Sequence, residues 1–210
     1  MGVAGTPVRL HGGVHSGYTQ KVRIALAEKG LAERVPFALV TPEERRGPAH
    51  RARHPLGLVP VLELDDGSFL PESTPIIEYL DALFPEPPLI PVDPLRRARM
   101  HALDHYNDQA LTPPVRRLWP PVRADAPAVA AAKAEVAAVF GYLDGALADG
   151  PYLVGEFSIA DIAFMPRLQM LSELGIEIPP ACTRVQAWHA RLASRASWAR
   201  TMFAPLPRQS

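Results

Sequence analysis

Along its first eighty residues the chain alternates between strand-like and helix-like spacing of apolar positions. Val8 to Leu10 reads as a short apolar strand and Lys21 to Lys29 as an amphipathic helix, with Ser16-Gly17-Tyr18-Thr19 in the turn between them. His54-Pro55-Leu56-Gly57-Leu58-Val59-Pro60 is a turn that runs into the alternating strand Val61-Leu62-Glu63-Leu64. Asp66-Gly67 is a hairpin signal ahead of a strand over Ser68 to Leu70, after which Glu72-Ser73 opens another helix. From Leu95 onward the spacing is helical only: Arg96 to Leu111, Pro127 to Leu147, Ser158 to Leu174 and Thr183 to Ala193, with no alternating strand. Between the two regimes, Phe84 to Pro94 carries five prolines, which bar regular helix and sheet and predict a semi-rigid extended linker. The pattern therefore predicts an α/β domain over residues 1–83, a linker over 84–94 and an all-helical domain over 95–210.

Local signals refine the helical half. Thr112-Pro113-Pro114 and Pro120-Pro121 are expected to interrupt or end the first helical stretch, because proline inside a helix costs about 3 kcal/mol or more. Ser158 to Asp161 forms an S-x-x-D capping box, with Phe157 and Ile162 at the positions of a hydrophobic staple, so Asp161 is read as structural. Pro166 is expected to kink the helix that follows.

Composition adds exclusions. With 210 residues, 48% hydrophobic and 21% charged, the chain is of ordinary globular composition. Lysine and arginine balance the acids to a formal net charge of zero, which removes the electrostatic case for nucleic acid or an anionic membrane as partner. The apolar runs are too short to cross a bilayer. One cysteine, Cys182, forbids an internal disulfide and is compatible with a reducing compartment. It lies far in sequence from the Ser16 turn and is read as a plain core or surface cysteine. Met1 to Thr6 matches a short N-myristoylation pattern that is discounted, and no signal-peptide pattern precedes the first strand, so a cytoplasmic location is expected.

The Ser16 turn suggests the chemistry. A helix N-terminus offers unpaired N–H groups and the positive end of a dipole, and a hydroxyl held there can donate to an anion such as a thiolate. With no cysteine in the turn, the thiol must come from outside. The order β-α-β, loop, β-β-α looks like a thioredoxin-type domain with a mixed four-stranded sheet. Three segments then resemble the glutathione S-transferases: S-x-x-x-x-K-V-R-I-A-L at Ser16 to Leu26, G-x-V-P-x-L at Gly57 to Leu62, and E-S-x-x-I-I-x-Y-L at Glu72 to Leu80. The resemblance covers the whole chain.

That resemblance, to the serine-type theta- and zeta-like transferases, implies a set of roles. Ser16 matches the serine whose hydroxyl bonds the glutathione sulfur; on the residues alone a helix cap is the other reading, with Tyr18 and Thr19 as alternative hydroxyls ranked below it. Val59-Pro60 resembles the cis-proline turn whose preceding residue clamps the cysteinyl backbone, although a trans proline opening a strand fits the sequence too. Glu72 and Ser73 match the residues that hold the γ-glutamyl group. The chain departs from the family where His54 and Leu58 stand in place of the usual asparagine and lysine. The glycine carboxylate of glutathione would then fall to the Arg45-Arg46 pair, or to His50, Arg51 or Arg53. His15, His105, Tyr106 and Trp119 are candidates for the wall of an electrophile site. His101 and His105 share a helix face, but no third ligand follows with recognisable spacing, so no metal site is predicted. The expected activity is transfer of glutathione to a hydrophobic electrophile, with isomerase or dehalogenase variants, glutathione as co-substrate and a homodimer as the assembly. The alternative is a non-catalytic glutathione-binding or interaction module of the same fold.

Overall fold

Leu10, Val61 and Leu62 sit almost wholly out of solvent, in the two central strands of a four-stranded sheet. The computed structural model describes residues 5–119 and 125–200, which fall into two compact units divided between Pro87 and Pro88. In the first unit the order is β1 (Pro7–Gly12), α1 (Gly17–Glu28), β2 (Phe37–Leu39), α2 (Pro48–Arg53), β3 (Val61–Leu64), β4 (Phe69–Pro71) and α3 (Ser73–Leu83). A short 3-10 turn, Glu44–Arg46, precedes α2.

The sheet order is β2-β1-β3-β4, with β1 parallel to β2 and the other two pairings antiparallel, which is the mixed four-stranded sheet expected. Asp66 and Gly67 turn the β3–β4 hairpin: Gly67 takes φ +80, where a side chain would be strained, and the Asp66 carboxylate accepts from Ser68 N–H at 2.8 Å. Val22, Ala25 and Leu26 of α1 and Ile76, Ile77 and Leu80 of α3 bury the apolar stripes of helices that pack on each other.

The helix at the site begins a turn earlier than the apolar spacing implied. Ser16 is its N-cap, so Gly17, Tyr18 and Thr19 belong to the first helical turn rather than to a loop. The reason is capping chemistry: the Ser16 side chain satisfies an N–H that polar residues at the start of a helix would otherwise leave open.

The proline-rich stretch contains no strand, and helix resumes at Pro94. It is held rather than loose. Buried Lys29 places its ammonium 2.7 Å from Asp81 and donates to the carbonyls of Phe84 and Pro87 at 2.6 and 2.9 Å. In the second unit, buried Leu89 accepts from Ile159 N–H at 3.0 Å.

The second unit contains α4 (Pro94–Tyr106), α5 (Thr112–Leu118), α6 (Ala126–Ala146), α7 (Ile159–Glu173) and α8 (Thr183–Ala193), and it ends at Trp198 within α9 (Ala196–Arg200), whose last residues group with the first unit; α5 and α9 were not anticipated. Thr112-Pro113-Pro114 does not break the chain out of helix. A π-helical turn, Asn107–Leu111, joins α4 to α5, and Thr112 N–H reaches back to the Asn107 carbonyl. The two prolines then fall in the first turn of α5, where missing N–H groups cost little. Pro120-Pro121 and the start of the Met1 to Thr6 pattern lie outside the described residues.

α7 is the most buried helix of this unit and runs continuously through Pro166. Its capping box is formed: Ser158 Oγ accepts from Ala160 N–H at 3.2 Å, and Asp161 accepts from Ser158 N–H at 3.0 Å. Asp161 also accepts from Leu153 N–H and the Trp188 indole, at 3.2 and 2.8 Å. Complete burial nevertheless outweighs these donors and pushes its carboxyl up to about 6. Phe157 packs edge-on against Tyr152, beneath the Arg195 guanidinium.

One expectation needs correction. α6 is long and apolar enough, by length and composition, to cross a membrane, because its alanines accumulate hydropathy without a bulky run. Ala132, Val136, Val139, Phe140 and Leu143 are the residues it buries, and it packs against α5 and α8.

Candidate functional site

The register of the sheet aligns the three motif segments. Val61, which opens β3, pairs with His11 near the end of β1 and with Pro71 at the end of β4. Gly12 to Ser16 therefore leaves the sheet beside the point where Val59-Pro60 enters it, and Glu72-Ser73 leaves on the other side. Strands lie about 4.8 Å apart, so the three segments span about 10 Å along one end of the sheet.

Ser16 is half-buried at the N-terminus of α1, with extended backbone at φ −86 and ψ 113. Its N–H donates to the Gly13 carbonyl at 3.1 Å and its Oγ accepts from Thr19 N–H at 3.2 Å. The hydroxyl proton is not used by that cap. Thr19 is fully buried, and its own hydroxyl accepts from Gly13 N–H at 3.2 Å, which ties it to the loop. Gly13 is the contact point between segments: a Cβ built there would lie 3.6 Å from Ser16 Cβ and 3.7 Å from Val59 Cγ2. Ser16 and Val59 thus flank one glycine.

The Val59-Pro60 bond is cis, and Val59 is 8% exposed. No backbone hydrogen bond joins Val59 to the described residues, so its N–H and C=O form a donor–acceptor pair of the kind an extended peptide fills. Glu72 has φ +73, a left-handed conformation that a glutamate adopts only under constraint, and its side chain makes no cap to α3. That carboxylate is 59% exposed and lies 3.4 Å from Nε2 of buried His54. Ser73 is buried as the first residue of α3, beside the N–H groups of that helix end.

The basic candidates separate by what they already hold. Arg45 donates through Nε to the Gly57 carbonyl at 3.1 Å, and His50 Nε2 lies 2.8 Å from the Leu58 carbonyl. Arg51 Nε reaches the Arg46 carbonyl at 3.4 Å, while the Arg46 side chain is exposed. Arg53 NH1 donates to Nδ1 of His11 at 3.3 Å and stacks over Phe69. His11 is completed by Glu63, 2.7 Å from its Nε2. Burial pushes the His11 imidazole down despite that carboxylate, and the His11 hydrogen bond pulls Glu63 down. This Arg53–His11–Glu63 arrangement is absent from the sequence reading. Its only signal was the pairing of two strands not yet in register.

The remaining candidates are spread over both units. His15 is exposed in the loop before α1. In the second unit His101 and His105 lie on the exposed side of α4, Tyr106 stacks on Tyr142 with ring centres 4.4 Å apart, and Trp119 ends α5. Burial, then Tyr142, pushes the Tyr106 hydroxyl up. Among the described residues no three of His, Cys, Asp and Glu come together as metal ligands. Cys182 is buried ahead of α8, and burial together with Asp144 pushes its thiol up, away from a nucleophile's range.

Comparison with known proteins covers both units. The family model described as Glutathione S-transferase, N-terminal domain, matches residues 10–88, and that described as Glutathione S-transferase, C-terminal domain, matches residues 106–196. Glutathione S-transferase 2 of Saccharomyces cerevisiae is 33% identical over 193 residues, covering 86% of this chain and 83% of its own. Maleylacetoacetate isomerase of Pseudomonas aeruginosa is 45% identical over 94 residues, 44% of each chain. The theta class glutathione S-transferase of Xanthomonas axonopodis pv. citri, solved with glutathione bound, superimposes with a TM-score of 0.80 at 28% identity, covering 96% of this chain and all of its own.

Proposed function

Since the chain belongs to the glutathione S-transferase family, with both of its domains in order, we propose that it binds glutathione along the aligned end of the sheet and activates the thiol for attack on a hydrophobic electrophile. The observation that carries this reading is the register, which lines up Ser16, the unpaired backbone of Val59, and Glu72-Ser73 over the span of a tripeptide. Val59 N–H and C=O pair with the cysteinyl residue as one added strand position. Glu72 accepts from the γ-glutamyl ammonium, and Ser73 with the N–H groups of α3 receives the adjoining carboxylate. Arg45, fixed by Nε on Gly57, keeps two terminal nitrogens for the glycine carboxylate, with Arg46 beside it in sequence.

Ser16 then donates its hydroxyl proton to the sulfur while the thiol proton passes to water. The N-terminal end of α1 adds its dipole to the thiolate. The thiolate attacks an electrophilic carbon, forming a carbon–sulfur bond as a leaving group departs or a π bond opens. Pro60 shapes the turn that presents Val59.

Calorimetric titration with glutathione tests the reading directly. The wild type binds, and Glu72→Ala binds about 10- to 150-fold more weakly, the range for one lost charged hydrogen bond of roughly 1.5–3 kcal/mol. An unchanged dissociation constant overturns the assignment of Glu72. A panel of electrophiles follows, and binding without turnover of any of them returns the non-catalytic alternative.

A further inference from the structure

The turn leading into Val59 is pinned at three successive residues by side chains. Leu56 N–H donates to His54 Nδ1 at 3.3 Å, the Gly57 carbonyl accepts from Arg45 Nε at 3.1 Å, and the Leu58 carbonyl faces His50 Nε2 at 2.8 Å. Both imidazoles are 3% exposed, so water does not substitute for these partners. Their protons follow from the partners' chemistry. A carbonyl only accepts, so His50 carries its proton on Nε2, and its Nδ1 is buried with no partner among the described residues. A backbone N–H only donates, so His54 Nδ1 is bare and its proton sits on Nε2, facing Glu72 Oε1 at 3.4 Å.

We propose that His54 is a positioning residue that couples the two ends of the peptide site: Nδ1 fixes the turn that presents Val59, and Nε2–H draws in the Glu72 carboxylate. His50 is the second anchor of the same turn. The inference rests on the glutathione-binding reading above.

Two substitutions divide the roles of the ring. The amide oxygen of His54→Asn stands in for Nδ1 but falls short of Glu72, whereas the amide of His54→Gln reaches toward Glu72 but leaves Leu56 N–H without an acceptor. Hydrogen exchange at Leu56 and Gly57, measured without glutathione, reads the turn, and calorimetry with glutathione reads the site. In His54→Asn the turn stays as protected as in the wild type while glutathione affinity falls. In His54→Gln the turn exchanges about tenfold faster than in the wild type. Identical behaviour of the two variants overturns the proposal. So does a nitrogen NMR spectrum of the wild type with the His54 proton on Nδ1, a measurement that needs no variant to fold. A turn that responds as described in a protein that binds no glutathione upholds the pinning and overturns the peptide site.

Discussion

A serine hydroxyl has one proton to give and two lone pairs, and at Ser16 the α1 cap takes a lone pair, leaving the proton. Capping and thiolate activation are therefore compatible uses of one group. Ser16→Ala is expected to lower turnover while leaving glutathione affinity largely intact, because the contacts at Val59, Glu72 and Ser73 remain. The absorbance of bound thiolate, titrated against pH, is expected to place the thiol pKa about one unit higher in the variant, equivalent to about 1.4 kcal/mol of lost thiolate preference. Coincident curves would reduce Ser16 to a helix cap. Thr19 is then a poor substitute, since its buried hydroxyl is engaged by Gly13 N–H.

At the scale of elements, the signals legible in the sequence were those confined to a few neighbouring residues. Asp66-Gly67 announces its hairpin by a φ that glycine alone accepts cheaply, and Ser158 to Asp161 announces the start of α7 by a reciprocal pair of hydrogen bonds. The π-helical turn before Pro113-Pro114 was not legible, because sterics forbid proline in a helix interior only where the carbonyl ladder keeps its four-residue step. Nor was the pinning of the Gly57 and Leu58 carbonyls by Arg45 and His50, which depends on the 3-10 turn and α2 folding back over that loop. A basic run reads the same whether its side chains are solvated or pinned to carbonyls. The α7 cap carries a prediction of its own. Asp161 holds its proton more tightly folded, near 6, than at its unperturbed 3.8, so its contribution to stability is full below 3.8 and lost as pH rises through about 6. Between pH 5 and 7 that loss is about 1 kcal/mol. Urea unfolding should show this decline in the wild type in excess of any in Asp161→Asn, whose amide does not titrate. Equal slopes would mean that the donors from Ser158, Leu153 and Trp188 keep the carboxylate ionised throughout.

At the scale of the molecule, the sheet unit and the helical unit each close a core of their own, but α6 leaves much of its length uncovered. Val136, Val139, Phe140 and Leu143 are buried, whereas Ala134, Ala138, Gly141, Tyr142 and Gly145 face outward. Cβ atoms built at Gly141 and Gly145 meet nothing, so another backbone can approach α6 closely there. An exposed helix face this poor in charge is more costly to leave in water than one studded with lysine and glutamate, and self-association is one way to cover it. We therefore expect a homodimer, as the family resemblance implies. Light scattering at micromolar concentration should give twice the mass of one chain. Gly141→Lys, which sets a long charged side chain into that open space, should shift the equilibrium toward the monomer if α6 lies in the interface. A monomer mass for the wild type would remove the dimer, whereas a dimer indifferent to Gly141→Lys would keep the assembly and move its interface away from α6.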